Sequence, residues 1–503
     1  MLTVDPAVRS FPVADPTDSP GSAGEVSAVA IPVLDTWQAL RRYLLVGGVV
    51  AVPSRTTPIA VAGAGPVRAA LATDSLRVVA EILAATVAVP SRPEPMLLAL
   101  ALASATDDDL TRRAALTALP RVARTSRDLF LFASFVQGLR GWGRGLRRAI
   151  GAWYNDRPAA DLVEDVLATP AGAGWRHADL LRLGHPKSPT STHDLVYRWL
   201  VTGAVSGTAS PDLADPNAGR VVERLAAASR LAEVTDPEVA AELIAAHQLP
   251  AACLPPALSR TPVVWKAVLP HLPIAELLDG LPELAASGCL AADGDLVATV
   301  LDRLGDGEAI TTAKIPPLAF VAALRGYQSG YRDGSRWPVD PELPRSLERA
   351  FDHVCRRLAT PSGPVEIELS GSLAEPWTGA SAISLVDVVA TLALVFVRAG
   401  TDVTVRGPGA MGRPPGIDAV DQLDEAVMAI GRLIPSGGNF SGTGPVVIRS
   451  TPSDSRPRVL ELWPTPRPDQ AAPSPDDGAD RIAIHGIDPH LVGTVLNLLR
   501  ESS

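Results

Sequence analysis

The chain has 503 residues, a formal net charge of −10, 47% hydrophobic and 20% charged residues, 41 glycines and 47 prolines. That length exceeds the roughly 250–300 residues at which one core stops growing, so two or more domains are expected. Three widely separated cysteines (Cys253, Cys289, Cys355) exclude a disulfide framework or a cysteine metal cluster and fit a reducing cytoplasm.

Residues 1–34, with Pro6, Pro12, Pro16, Pro20 and Gly21, read as a disordered leader. They lack the basic start and continuous apolar core of a signal peptide. Apolar runs such as Met96 to Ala103 stop short of the ~18–20 residues a membrane span needs, so no membrane partner is expected. From Asp35 to Ala359 the pattern is helical, with apolar residues at three- and four-residue spacing and Pro or Gly breaks between segments. Expected helices include Pro95 to Ser104, Leu110 to Leu119, Arg127 to Leu139, Ala178 to Leu183, His193 to Val201, Pro237 to His247 and Pro317 to Tyr327. Short helices that must stack on neighbours to bury their apolar faces define an α-solenoid, although no exact repeat period stands out.

Within this region Arg112 to Arg157 holds ten arginines and only two acids, Asp128 and Asp156, a formal +8 in an acidic chain. Positive charge gathered on one surface sets the local field that a polyanion meets, whatever the net charge. On a helix from Gly141 to Asn155, Trp142, Leu146, Ala149, Ile150 and Trp153 share one arc of about 100°, and Arg140, Arg144, Arg147 and Arg148 fall opposite. An ordinary solvated face pairs acid with base at i,i+4, but this segment offers no acid before Asp156, which favours polyanion contact. Trp142, Trp153 and Trp175 are aromatic enough to stack on bases, yet Trp142 and Trp153 project to the apolar arc, as core residues do.

After Pro361 the period changes. Pro364 to Leu369, Asp402 to Val405, Val446 to Arg449, Val459 to Trp463 and Arg481 to His485 read as strands, and Ile383 to Arg398, Ala419 to Leu433 and Pro489 to Arg500 as helices. This order implies a parallel, doubly wound sheet over residues 360–503, with Pro466 to Asp480 as a polar loop.

Six ordered blocks resemble one family, the TROVE-module Ro autoantigen family and its bacterial orthologues. They are Glu94 to Ser104, Ser126 to Phe135, Gly141 to Asn155, Gly174 to Ser188, Val264 to Leu281 and Lys314 to Tyr331, followed by Glu368 to Ser372. The resemblance implies a ring of HEAT-like helical pairs over residues 35–359 and a von Willebrand A-like domain over 360–503. It also implies binding of small non-coding RNA, or of the single-stranded 3′ ends of defective RNA, in ribonucleoprotein particles serving RNA quality control. An exoribonuclease is a further implied partner, and DNA is not. Arg144, Arg147, Arg148, His177, Arg182, His185 and Lys187 match the family's basic stretch, with Arg140 and Arg176 beside them; Ala168 to Gly174 is uncharged where the family carries basic residues.

A domains hold Mg²⁺ through an Asp-x-Ser-x-Ser motif and two further loops. Here the donors reduce to Ser370, Ser372 and Asn439 behind Glu368, so a domain that keeps its fold and has mostly lost its ion is expected. No H-x-x-x-H pair, phosphate loop ending in Gly-Lys-Ser/Thr, or G-x-S-x-G elbow appears, and the chain reads as a cytoplasmic RNA-binding protein with no catalytic residues. The alternative is a protein-interaction scaffold of the same shape that has lost RNA binding, which the net −10 favours.

Overall fold

The computed structural model describes residues 34–49, 51–53, 59–87, 92–204, 217–259, 261–292, 294–359, 363–369, 383–407, 423–433, 446–450, 458–463, 480–485, 488 and 490–500. The 1–34 leader, except position 34, and the 466–479 loop lie outside these residues, as do Ser370, Ser372 and Asn439.

The helical part opens with α1 (Thr36–Val46), a short strand β1 (Ala51–Pro53) and α2 (Gly65–Ala85), then α3 (Glu94–Ser104), α4 (Asp109–Val122), α5 (Ser126–Leu139) and α6 (Arg144–Asn155). It continues through α7 (Ala159–Ala168), a tight hairpin of β2 (Ala171–Gly172) and β3 (Trp175–Arg176), α8 (His177–Gly184), α9 (Ser191–Thr202), α10 (Ala218–Leu231) and α11 (Pro237–His247). Next come α12 (Pro262–Val268), α13 (Ile274–Ala286), α14 (Cys289–Ala292), α15 (Gly294–Gly305), α16 (Gly307–Ala313), α17 (Pro317–Gln328), a second hairpin of β4 (Tyr331–Arg332) and β5 (Ser335–Arg336), and α18 (Glu342–Cys355). Side chains cap many of these helices where the sequence changes register. Asp35 accepts from the Trp37 and Gln38 amides, and Thr125 and Asp128 form a reciprocal box at the start of α5. Each hairpin turns on two consecutive positive-φ residues, Ala173–Gly174 and Asp333–Gly334, the backbone that a two-residue loop requires.

The C-terminal part comprises β6 (Val365–Leu369), α19 (Leu385–Arg398), β7 (Val403–Arg406), α20 (Leu423–Gly431), β8 (Val446–Ser450), β9 (Arg458–Trp463), β10 (Asp480–His485) and α21 (Leu491–Arg500). Its sheet runs β1-β10-β9-β8-β6-β7. The expectation of a fully parallel sheet is corrected: β6–β7, β9–β10 and β1–β10 are parallel, but β8 is antiparallel to both β6 and β9. Only residues 451–457 separate β8 from β9, and a parallel crossover needs a dozen residues or more.

The α19 sequence LVDVVATLALVFVR is apolar almost all round, and the helix is buried from Leu385 through Phe396 with Val386 only partly exposed. Such a helix belongs between layers. It packs on β7 and α20 on one side and on α17 and α18 on the other, so it cements the sheet domain to the end of the helical array. From the opposite end of the array, α1 packs on α21, and β1 adds to the sheet edge through Ala51↔Ala483 and Pro53↔His485. Both ends of the helical array therefore meet one sheet domain, and the circuit closes.

Candidate nucleic-acid interface

Helix α6 lies between α4 and α8 and carries the densest arginine run. Its buried face is Leu146, Ala149, Ile150, Trp153 and Tyr154, and small residues allow close approach. Gly145 lies where a β-carbon would stand 3.1 Å from Leu116, and at Gly151 one would stand 3.3 Å from Pro186. The opposite face presents Arg144, Arg147 and Arg148 to solvent. Arg147 donates to the Trp142 carbonyl at 3.1 Å, and Arg144 and Arg148 have no hydrogen-bond or ion-pair partner among the described residues. The helix has no side-chain cap and no acid in its first turn. Cations there oppose the positive end of the helix dipole at ~0.3–1 kcal/mol each, a cost that a bound anion offsets.

The structure divides the ten-arginine segment. Arg112 and Arg113 both pair with Asp109, one helical turn earlier, and Arg124 donates to the Thr86 carbonyl. Arg157 lies 3.9 Å over the Trp153 ring, donates to the Arg124 carbonyl at 2.5 Å and sits 3.5 Å from Asp165, so it acts as a brace. Arg140 is half-buried and bonds the Ser104 carbonyl; burial, then the charge of Arg112, lowers its pKa. The single +8 surface is thus corrected to a smaller exposed set on α6, and Arg121 on α4 and Arg127 on α5 are exposed as well.

Helix α8 supplies the neighbouring residues. Arg176 and Arg182 are exposed; Arg182 donates to the Val201 carbonyl at 3.3 Å and lies 4.0 Å from Asp179. His185 occupies the C-cap at φ 44°, its amide bonding the Leu181 carbonyl at 2.9 Å. Its exposed ring has no partner among the described residues, so it is the backbone, and not the imidazole, that caps the helix. Lys187 is exposed, and its carbonyl accepts from Asn155 Nδ2 at 3.0 Å, while the Tyr197 hydroxyl donates to Asn155 Oδ1 at 2.6 Å. Asn155, which the sequence reading did not single out, fixes the loop that carries Lys187.

His177 is the clear departure from expectation. It is 1% exposed, with Nε2 3.0 Å from the Thr169 carbonyl and Nδ1 2.9 Å from the Tyr154 hydroxyl. A carbonyl only accepts, so Nε2 carries the proton and the tyrosine donates to Nδ1. Burial, only partly countered by the Thr169 bond, pushes its pKa down to about 4. His177 is therefore a neutral core residue at pH 7, unavailable to a phosphate. Its spacing was the signal, since Leu180 and Leu181 at i+3 and i+4 share its buried face.

Trp142 precedes α6 instead of joining it, because Gly143 adopts an extended backbone (φ −72°, ψ 169°). Its ring meets Trp175 of the first hairpin at 5.3 Å between centroids, and both are half-buried. Trp153, by contrast, is fully buried and donates to the Ala123 carbonyl at 2.7 Å. In the sheet domain the Glu368 carboxylate is held by Arg449 of β8, and among the described residues no cluster of His, Cys, Asp or Glu is placed to hold a metal ion. No helix among them is long and apolar enough to cross a membrane.

A helical array closed through an α/β domain, with an uncompensated arginine face beside an aromatic pair, defines the class. No family profile matches the chain. It is 30% identical over 343 residues to the protein named RNA-binding protein RO60 of Deinococcus radiodurans, covering 67% of this chain and 63% of that relative. To the RNA-binding protein RO60 of Caenorhabditis elegans it is 25% identical over 312 residues, covering 52% of this chain and 48% of the relative. The chain thus spans under two thirds of the length of either. Its fold is similar to the crystal structure of the Deinococcus radiodurans Ro protein, with TM-score 0.76, 22% identity and coverage of 93% and 99% of the two chains. The chain belongs to the Ro family.

Proposed function

We propose that this chain binds RNA, and specifically a single-stranded segment of a small non-coding or defective RNA, through the face formed by α6, the first hairpin and the α8 C-terminus. Arg144, Arg147 and Arg148 take phosphates at the α6 N-terminus, and Arg176, Arg182, His185 and Lys187 extend the track. Arg140 holds the chain between α5 and α6 in place. The Trp142–Trp175 pair offers a stacking surface that tolerates any base. The names of both curated relatives support RNA as the ligand. The observation that carries the siting is that Arg144 and Arg148 stand exposed at a helix N-terminus with no carboxylate paired to them among the described residues.

The test is the salt dependence of affinity for a 3′-tailed stem-loop RNA, read by fluorescence anisotropy. For single strands the slope of log affinity against log salt is about −0.7 per phosphate contact, so losing two contacts flattens it by about 1.4. Arg144→Glu with Arg148→Glu should do this while leaving the melting temperature unchanged or higher, since acids suit a helix N-terminus. No binding at low salt by the unaltered chain refutes the proposal and favours the protein-interaction scaffold.

A further inference from the structure

A cavity of about 370 Å³ opens where the end of the helical array meets α21. Its floor is aliphatic: Ile310, Ile315, Val354, Leu358 and Leu496. Its rim carries Lys314, Arg357 and Arg500, and no Asp or Glu is among the residues lining it. No carboxylate among the described residues lies within ion-pair distance of these three cations. Lys314 caps α16 in a left-handed conformation, φ 51°. The Arg357 guanidinium is oriented by His353, donating to its Nδ1 at 3.0 Å, while His353 Nε2 bonds the Gly307 carbonyl at 3.0 Å.

Each cation stands at or just past a helix C-terminus, where the dipole favours it singly. That preference does not account for three of them, from three helices, converging on one apolar cavity in a chain of net −10. The volume lies in the range of small-molecule sites, which pair an apolar lining with a few placed polar groups. The lining has no Trp, Tyr or Phe, so it offers no platform for a nucleobase, whereas branched aliphatic side chains suit an alkyl chain.

We propose that this cavity binds a small organic anion with an aliphatic body. Its carboxylate or phosphate head is held by Lys314, Arg357 and Arg500, and its tail lies against Ile310, Ile315, Val354, Leu358 and Leu496. Because α21 also packs on α1, α17 and α19, the occupant sits on the seam that closes the helical circuit and stabilises it. The site is independent of the RNA face.

Octanoate and octyl phosphate, titrated calorimetrically into the full chain, are the probes, with octanol and adenosine monophosphate as comparators. Saturable one-to-one binding of either anionic probe, with a rise in melting temperature, supports the site. Arg357→Gln with Lys314→Gln should weaken that binding tenfold or more. Gly493 lines the cavity, and a β-carbon added there meets no atom within 4 Å. Gly493→Leu should therefore fill the space and abolish binding while the free protein melts at the same temperature or higher, as replacing a helical glycine allows. Failure of both probes to bind at about millimolar concentration overturns the proposal. So does octanol binding as tightly as octanoate, binding that survives Gly493→Leu, or preference for the nucleotide.

Discussion

The buried His177 makes the fold sensitive to mild acid. Its pKa falls from 6.5 to about 4 on folding, so the unfolded chain takes up a proton that the folded chain refuses. The stabilisation this represents is present in full above pH 6.5 and is lost as pH falls toward 4. Two and a half pH units at 1.36 kcal/mol each set the total at about 3 kcal/mol, of which about 2 kcal/mol is gone by pH 5. Burial raises the Asp128 and Asp165 carboxyls, which act in the opposite direction at the acid end, so a variant must isolate the histidine. His177→Gln keeps a donor for the Thr169 carbonyl and removes the titration. Urea unfolding from pH 7.5 to 5 should show the unaltered chain losing about 2 kcal/mol more than His177→Gln. Parallel curves for the two chains would mean that the histidine is solvated or charged, and would return it to the list of RNA contacts. RNA affinity at pH 7, per folded molecule, should be unaffected by the substitution.

Two further outcomes follow from named contacts. His185→Gly relieves a left-handed backbone that costs a β-carbon-bearing residue ~1–2 kcal/mol, so thermal stability should rise while RNA affinity falls several-fold; equal affinity in the two chains would remove His185 from the RNA track. Arg325 bridges α17 to Asp387 at 2.8 Å and Asp424 at 2.5 Å, with Asp387 only 5% exposed. Arg325→Met leaves that carboxylate to the Ser384 amide and hydroxyl alone and should cost about 3–5 kcal/mol in urea unfolding, with Asp387→Asn added to it, which removes the charge and keeps an acceptor for Ser384, restoring part of the loss; no restoration would mean that the pair is not coupled.

The sequence showed its architecture wherever periodicity was strong. The 3.6-residue pattern of Leu129, Phe132, Ala133 and Val136 and the β-branched runs at Val365 and Val446 fold as their spacing predicts. Pairing that depends on distant partners was not legible. Strand β1 is three residues, ending in Pro53, and its partner is the last strand of the chain; nothing local marks it. Proline is tolerated there because β1 is an edge. The site was legible as charge but not as exposure. The +8 of the segment from Arg112 omits Asp109 just before it, which pairs with Arg112 and Arg113 at i+3 and i+4. The arc that holds Trp142 assumes a helix running through the glycines on either side of it, and the extended backbone of Gly143 ends that possibility.

The location of β1 also predicts how the molecule fails. A solenoid is ordinarily stable through neighbour contacts alone, and its ends are independent. Here the first helix and the first strand also reach the far end of the chain: α1, packed mainly on α2 and α3, meets α21 as well, and β1 covers the edge of β10. A chain starting at Ala60 therefore loses more than a terminal cap. It exposes β10 as an unpaired edge and uncovers the apolar face of α21. Unpaired edges template strand addition. Light scattering after gel filtration should show this truncated chain forming dimers or larger species, and circular dichroism should show the sheet domain and the helical array both melting lower than in the intact protein. A monomer whose sheet domain melts unchanged would mean that the circuit is closed by α17 to α19 alone, and that the contact between the two ends carries no stability.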